Sequence, residues 1–264
     1  MDIELLEKKF AGIGARMKLR EIDNRWRQFQ GINILTDERG EFFDIRVQPG
    51  EQVEYDVVDL RPDMRHLLLL ARRETGKEKF LCGHDERHWF VCAVPGAAVT
   101  NVLTAMEALQ PLEVRRQVAR KVKRVKNRFN RHNEAFVRQG EWFFIPAPEL
   151  KVNPKLIHLN EPISRGGGSK PHMCQHLYRD KGEAVMVCRQ HPNGVTLRQY
   201  DALLKSNPKA RKWSWRAMRR NAFVYAQGRI WHKDHKTIVL DGWHRVLMNT
   251  ESQADWSKSV VFLD

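Results

Sequence analysis

The stretch RRQVARKVKRVKNRFNRHN, residues 115 to 133, carries nine cations (Arg115, Arg116, Arg120, Lys121, Lys123, Arg124, Lys126, Arg128 and Arg131) and no anion. Whether it is one long helix decides the fold class. Val114, Val118, Val122, Val125 and Phe129 recur every three or four residues, the period of a single apolar helix face. Pro111 suits a first helical turn, and Glu113 suits the positive end of the helix dipole. The pattern predicts a basic amphipathic helix of about four turns, roughly 25 Å long. A solvated helix interleaves Glu with Lys at i, i+4, and like-charge neighbours cost a few tenths of a kcal/mol each. Nothing in this run compensates, so the expected partner is a polyanion lying along the basic sides.

On the N-terminal side the period shortens to two. HLLLLA, residues 66 to 71, is an apolar run of strand length, and GINILTDERGEFFDIRV predicts two strands around the turn DERG. ARMKLREI, QPGEQVEYDVVDL, EKFLC and RHWFVCAVP add further strands, and Val99, Val102, Leu103, Met106 and Leu109 mark a helix. On the C-terminal side GEWFFIP reads as a strand, KPHMCQHLY as a short helix after a glycine loop, and EAVMVCRQ as a strand. TLRQYDALLKS reads as a helix opened by the capping-box pair Thr196 and Gln199. Residues 222 to 249 predict a three-stranded meander with turns at Gln227-Gly228, Lys233-Asp234 and Asp241-Gly242. The expected class is α+β. It comprises a β-rich unit over 1–98, a helical bridge with the long basic helix over 99–140, and a small mixed α+β unit over 141–264 ending in an antiparallel meander.

With 264 residues, 42% hydrophobic content and eight Trp, the chain has ample material for a core. No run reaches the roughly 18 apolar residues of a membrane span. MDIELLEKKF has neither the basic leader nor the apolar centre of a secretory signal, so a cytoplasmic location is expected. Four Cys are too few for a disulfide scaffold. The net charge of +14 is uneven: residues 1–110 hold 16 Lys+Arg against 19 Asp+Glu, a net of −3, and residues 111–264 hold 30 against 13, a net of +17. A field so concentrated points to nucleic acid first, with anionic membrane surfaces and an acidic protein partner as alternatives.

KARKWSWRAMRR adds a second basic feature, in which Lys209, Arg211, Lys212, Arg216, Arg219 and Arg220 surround Trp213 and Trp215. Cations neutralise phosphates while indole faces stack bases, a pairing suited to RNA over DNA, as in a ribonucleoprotein component or processing factor. The competing reading buries both Trp. Arg165 and Lys170 flank Gly166-Gly167-Gly168-Ser169, the ingredients of a phosphate-binding nest, although GxxxxGK[ST] is absent.

Two Cys/His sets raise zinc. Cys82, His84, His88 and Cys92 share even parity around a hairpin, and Cys174, His176, Cys188 and His191 cluster in sequence, but neither set has CxxC pairs. His172 and His176 share a face if their segment is helical. In the meander, His232 and His235 are expected about 5 Å apart across a two-residue turn, with His244 too distant to join them. With Lys236 beside them they could serve as acid and base in metal-independent RNA cleavage, the nuclease alternative to plain binding, with a zinc-supported nuclease as its variant. Hydrogen-bonded histidines on a half-buried sheet are the bland alternative.

Overall fold

The computed structural model describes residues 3–21, 31–74, 76–96, 98–165 and 170–251. Among the described residues, sixteen strands in four sheets and four α-helices make the fold mostly β, with 48% strand and 20% helix. The expected α+β class with a long central helix is therefore wrong. The chain divides into two compact units, one of residues 1–115 with a return segment from 249, the other of residues 116–248.

In the first unit, α1 (Ile3–Ala11) precedes β1 (Met17–Glu21), β2 (Gly31–Asp37) and β3 (Gly40–Val47), which form a sheet in the order β1-β3-β2. The β2–β3 hairpin turns at DERG with Asp37 opposite Gly40, whereas β1 joins β3 in parallel. A second sheet runs β4 (Glu54–Arg61), β5 (His66–Arg73), β6 (Gly76–Asp85) and β7 (His88–Ala93) in simple antiparallel order. HLLLLA is a continuous apolar run because both faces of β5 are covered. Leu67, Leu69 and Ala71 join one core with Phe10 and Phe43; Leu68 joins another with Val102 and Leu109 at α2 (Val102–Ala108). Asn101 caps α2 through a reciprocal box with Thr104. The return segment is held by the Thr250 amide donating to Leu109 O at 3.1 Å and by Glu251 accepting from the Ala93 amide at 3.2 Å.

The decisive stretch behaves as a short helix. α3 spans Leu112–Lys121; Val114, Val118 and Val122 are buried, but Val125 is 62% exposed. Continuing the helix would stack Arg116, Arg120, Arg124 and Arg128 at i, i+4 with no carboxylate among them. The chain instead turns through a 3₁₀ segment at Val125–Asn127. Asn133 secures the bend: its side-chain Nδ2 donates to Asn127 O and Asn130 O, and its side-chain oxygen accepts from the Ala135 and Phe136 backbone amides.

The second unit is built on a six-stranded antiparallel sheet in the order β10 (His158–Ile163), β11 (His172–Asp180), β15 (Phe223–Trp231), β16 (Ile238–Met248), β9 (Trp142–Pro146), β8 (Val137–Gln139). Trp142, Phe144, Cys174, Leu177 and Ile230 form its core. A smaller sheet, β13 (His191–Thr196), β12 (Glu183–Cys188) and β14 (Arg216–Arg220), carries α4 (Leu197–Ser206). α4 begins at Thr196, which exchanges hydrogen bonds with Gln199 as the capping box requires.

Two expectations fail in this unit. KPHMCQHLY is the start of β11, with His172, Cys174 and, beyond a bulge, Leu177 buried, and strands pair with it on both sides. Residues 222 to 249 make two long strands, not three. Gly228 and Gly242 have the positive φ expected of turns, +79° and +84°, but they accommodate a register irregularity between Ala226 and Gly228 inside a continuing ladder. The single reversal is the loop 232–237. No helix among the described residues is long and apolar enough to cross a membrane.

Candidate functional site

The antiparallel register of β11 with β15 pairs Met173 with Trp231, which sets His172 opposite position 232 just past the end of β15. The 232–237 loop then folds His235 back. The rings of His172 and His232 stack at 4.1 Å and 16°, His172 and His235 lie at 5.3 Å and 22°, and His232 and His235 at 4.9 Å. One ring nitrogen from each of the three lies within 4.8 Å of the others, so the group can hold a metal ion. Below it, β8 and β9 join through a two-residue turn, Gly140-Glu141, with Gln139 opposite Trp142. Gly140 has φ +57°, and a Cβ there would lie 2.8 Å from His235 Nε2 and 3.3 Å from His172 Nε2. Glycine is thus needed twice, for the left-handed backbone and for the space.

His172 is 1% exposed, and among the described residues neither of its ring nitrogens has a hydrogen-bond partner; the same holds for Gln139 Oε1 and Trp142 Nε1. Burial, and secondarily the charges of His232 and His235, push the His172 pKa down to about 3, so that ring is neutral at ordinary pH. Gln139 Nε2 donates to Ile230 O and Lys236 O, fixing the ends of the 232–237 loop. Asp234 closes the loop on one side: its amide donates to His232 Nδ1 at 3.1 Å and its carboxylate pairs with Lys170 at 2.7 Å. The side chain of Lys236 is exposed. His244 stands apart, opposite Ala226, with Nδ1 3.0 Å from Gly242 O.

Neither Cys/His set assembles. In the β6–β7 hairpin Cys82 faces Val91 and Leu81 faces Cys92, so partners sum to an odd number and residues of equal parity on the two strands point to opposite faces. Cys82 and His84 lie on one face, His88 and Cys92 on the other. His84 packs edge-on against Trp89 at 4.9 Å, and His88 Nδ1 meets the Glu41 carboxylate at 2.6 Å. In the second set Cys174 lies in the core of the large sheet, Cys188 and His191 are paired in the small one, and His176 is on β11.

His191 belongs instead to the basic aromatic segment. Its ring stacks on Trp215 at 5.7 Å and 12° and lies 5.8 Å from Trp213; the two indoles are 5.8 Å apart, and Tyr200 of α4 meets Trp215 edge-on at 4.9 Å. Both Trp are half-buried, with Trp215 Nε1 donating to Ala210 O. Lys209, Arg211 and Lys212, on the 3₁₀ turn Pro208–Lys212, are exposed, as is Arg216. Arg219 donates to Lys181 O, and Arg220 pairs with Glu183, so these two help fix the edge strand β14. Of the nine cations in the opening run, Arg115, Arg116, Arg120 and Lys121 are exposed on α3, Lys123, Arg124 and Lys126 are exposed beyond it, and Arg128 and Arg131 are half-buried. Residues 166–169 of the expected phosphate nest lie outside the described residues; Arg165 lies at its edge. No protein-family model, curated protein or solved structure matches the chain.

Proposed function

We propose that the chain binds nucleic acid, single-stranded RNA ahead of DNA, through the aromatic and basic face of its second unit. The observation that carries this reading is the half-buried group of His191, Trp213 and Trp215 beside four exposed cations, Lys209, Arg211, Lys212 and Arg216. Ring faces of this kind stack bases of any sequence, and the cations neutralise phosphates, so recognition is of the polymer class rather than of a base code. The exposed cations from Arg116 to Lys126 give the same unit a second phosphate-binding tract.

Fluorescence anisotropy of a labelled oligouridine over a salt series tests the reading. Affinity should fall steeply with salt, and the Lys209→Gln/Arg211→Gln/Lys212→Gln variant should flatten the log–log slope by about 2, at roughly 0.7 per lost phosphate contact. Absence of binding to any RNA or DNA at about 100 mM salt, or a slope near zero, would sink it. The histidine cluster favours a second reading in which the polymer is also cut, with zinc support. Labelled RNA incubated with and without EDTA should then show EDTA-sensitive cleavage, and intact RNA under every condition removes this second reading.

A further inference from the structure

We infer that His172, His232 and His235 bind one divalent transition-metal ion, zinc first among them. The site is independent of whether the basic face takes up nucleic acid.

The donor set fixes the class of ion. Three imidazoles and, among the described residues, no carboxylate suit zinc, copper, nickel or iron, and do not suit magnesium or calcium, which take oxygen ligands. The surroundings are those of a ligand site rather than of packed core. A buried imidazole with no hydrogen-bond partner on either nitrogen is costly in a folded protein, and among the described residues His172 has none. Coordination would satisfy one of those nitrogens. The Nε2 atoms of His172 and His235 converge on the backbone of Gly140, where a side chain would enter the same space. Zinc bonds of about 2.0–2.1 Å place tetrahedral nitrogens about 3.3 Å apart, so the ligand atoms, now within 4.8 Å, close by up to about 1.5 Å around the ion, and the stacked rings turn so that their in-plane lone pairs converge on it.

His232 supplies the adjustment. Its Nδ1 accepts from the Asp234 amide, which in the neutral ring leaves the proton on Nε2. Ligation through Nδ1 displaces that amide, and ligation through Nε2 moves the ring proton to Nδ1 and turns the amide away. Both routes move the loop at Asp234, outside the strands. Three protein ligands leave a fourth position for water, the arrangement of catalytic rather than structural zinc.

The test uses full-length protein stripped of metal, titrated with Zn²⁺ against a chromophoric chelator and with Co²⁺ by visible absorption. One ion per chain and the intense visible bands of low-coordinate Co²⁺ are expected. The His232→Ala/His235→Ala variant, altered in a loop and checked for intact far-UV circular dichroism, should lose more than about 100-fold in Zn²⁺ affinity, beyond the effect of removing a supporting group. Gly140→Ala keeps all three ligands and should still lose affinity about 10-fold or more. Cys82→Ser/His88→Ala should bind as the wild type does. The inference is overturned if the wild type takes up no stoichiometric ion or the loop double variant binds as tightly. It is also overturned if Gly140→Ala is unchanged.

Discussion

Leu69→Ala is expected to cost the β4–β7 sheet about 2–5 kcal/mol, while Val125→Ala changes stability by less than about 0.5 kcal/mol. Leu69 is fully buried in a strand covered on both faces, so truncation loses the transfer free energy of the side chain and leaves a void. Val125 has the right spacing for a core position, yet it is 62% exposed beyond the end of α3. Hydrogen exchange of the sheet amides reads the first effect and urea unfolding reads the second. Equal losses at the two sites would mean that the apolar seam continues as a long helix and that the mostly-β description is wrong.

Acidification from pH 7 to pH 5 should cost the metal-free protein about 2 kcal/mol through His172. In the unfolded chain this ring takes a proton near its ordinary pKa of 6.5, whereas burial in the folded chain holds it down to about 3. Between those values the unfolded state binds more protons, so stability falls as pH falls through 6.5 and the loss levels off only near pH 3. Burial also lowers the pKa of His244, which adds to the loss in the same direction. Urea midpoints of EDTA-treated wild type and His172→Phe at the two pH values isolate the His172 contribution. An identical pH dependence in both proteins would show that His172 is not held neutral.

What could be read from the sequence was local. The DERG hairpin, the strand at HLLLLA and the Thr196/Gln199 cap each depend on a few adjacent residues whose chemistry has one strong outcome. What failed depended on partners distant in the chain. The valine period at 114, 118 and 122 is real, but it cannot say where uncompensated charge and the Asn133 hydrogen bonds end the helix. Gly228 and Gly242 signal positive φ equally well for a turn or a bulge, and only the ladder to the neighbouring strands decides between them.

The candidate site was half visible for the same reason. His232 and His235 stand close in sequence, and proximity brings them together. His172 joins them only through the pairing of β11 with β15, which a helical KPHMCQHLY would not make. The period-two burial of His172 and Cys174 was the available signal for a strand. Gly140 gave no signal, since the two imidazoles it accommodates lie 32 and 95 residues further along.

The proposed function requires that base stacking on the Trp213 group add to phosphate contact in binding RNA. Anisotropy titrations of a labelled oligouridine with wild type and Trp213→Ala, each over a salt series, test it most directly. Binding about 5-fold or more weaker in the variant is expected, since a stacked base contributes about 1–3 kcal/mol, with an unchanged salt slope because no cation is lost. Equal affinity in the two proteins, or no binding by the wild type, would contradict it.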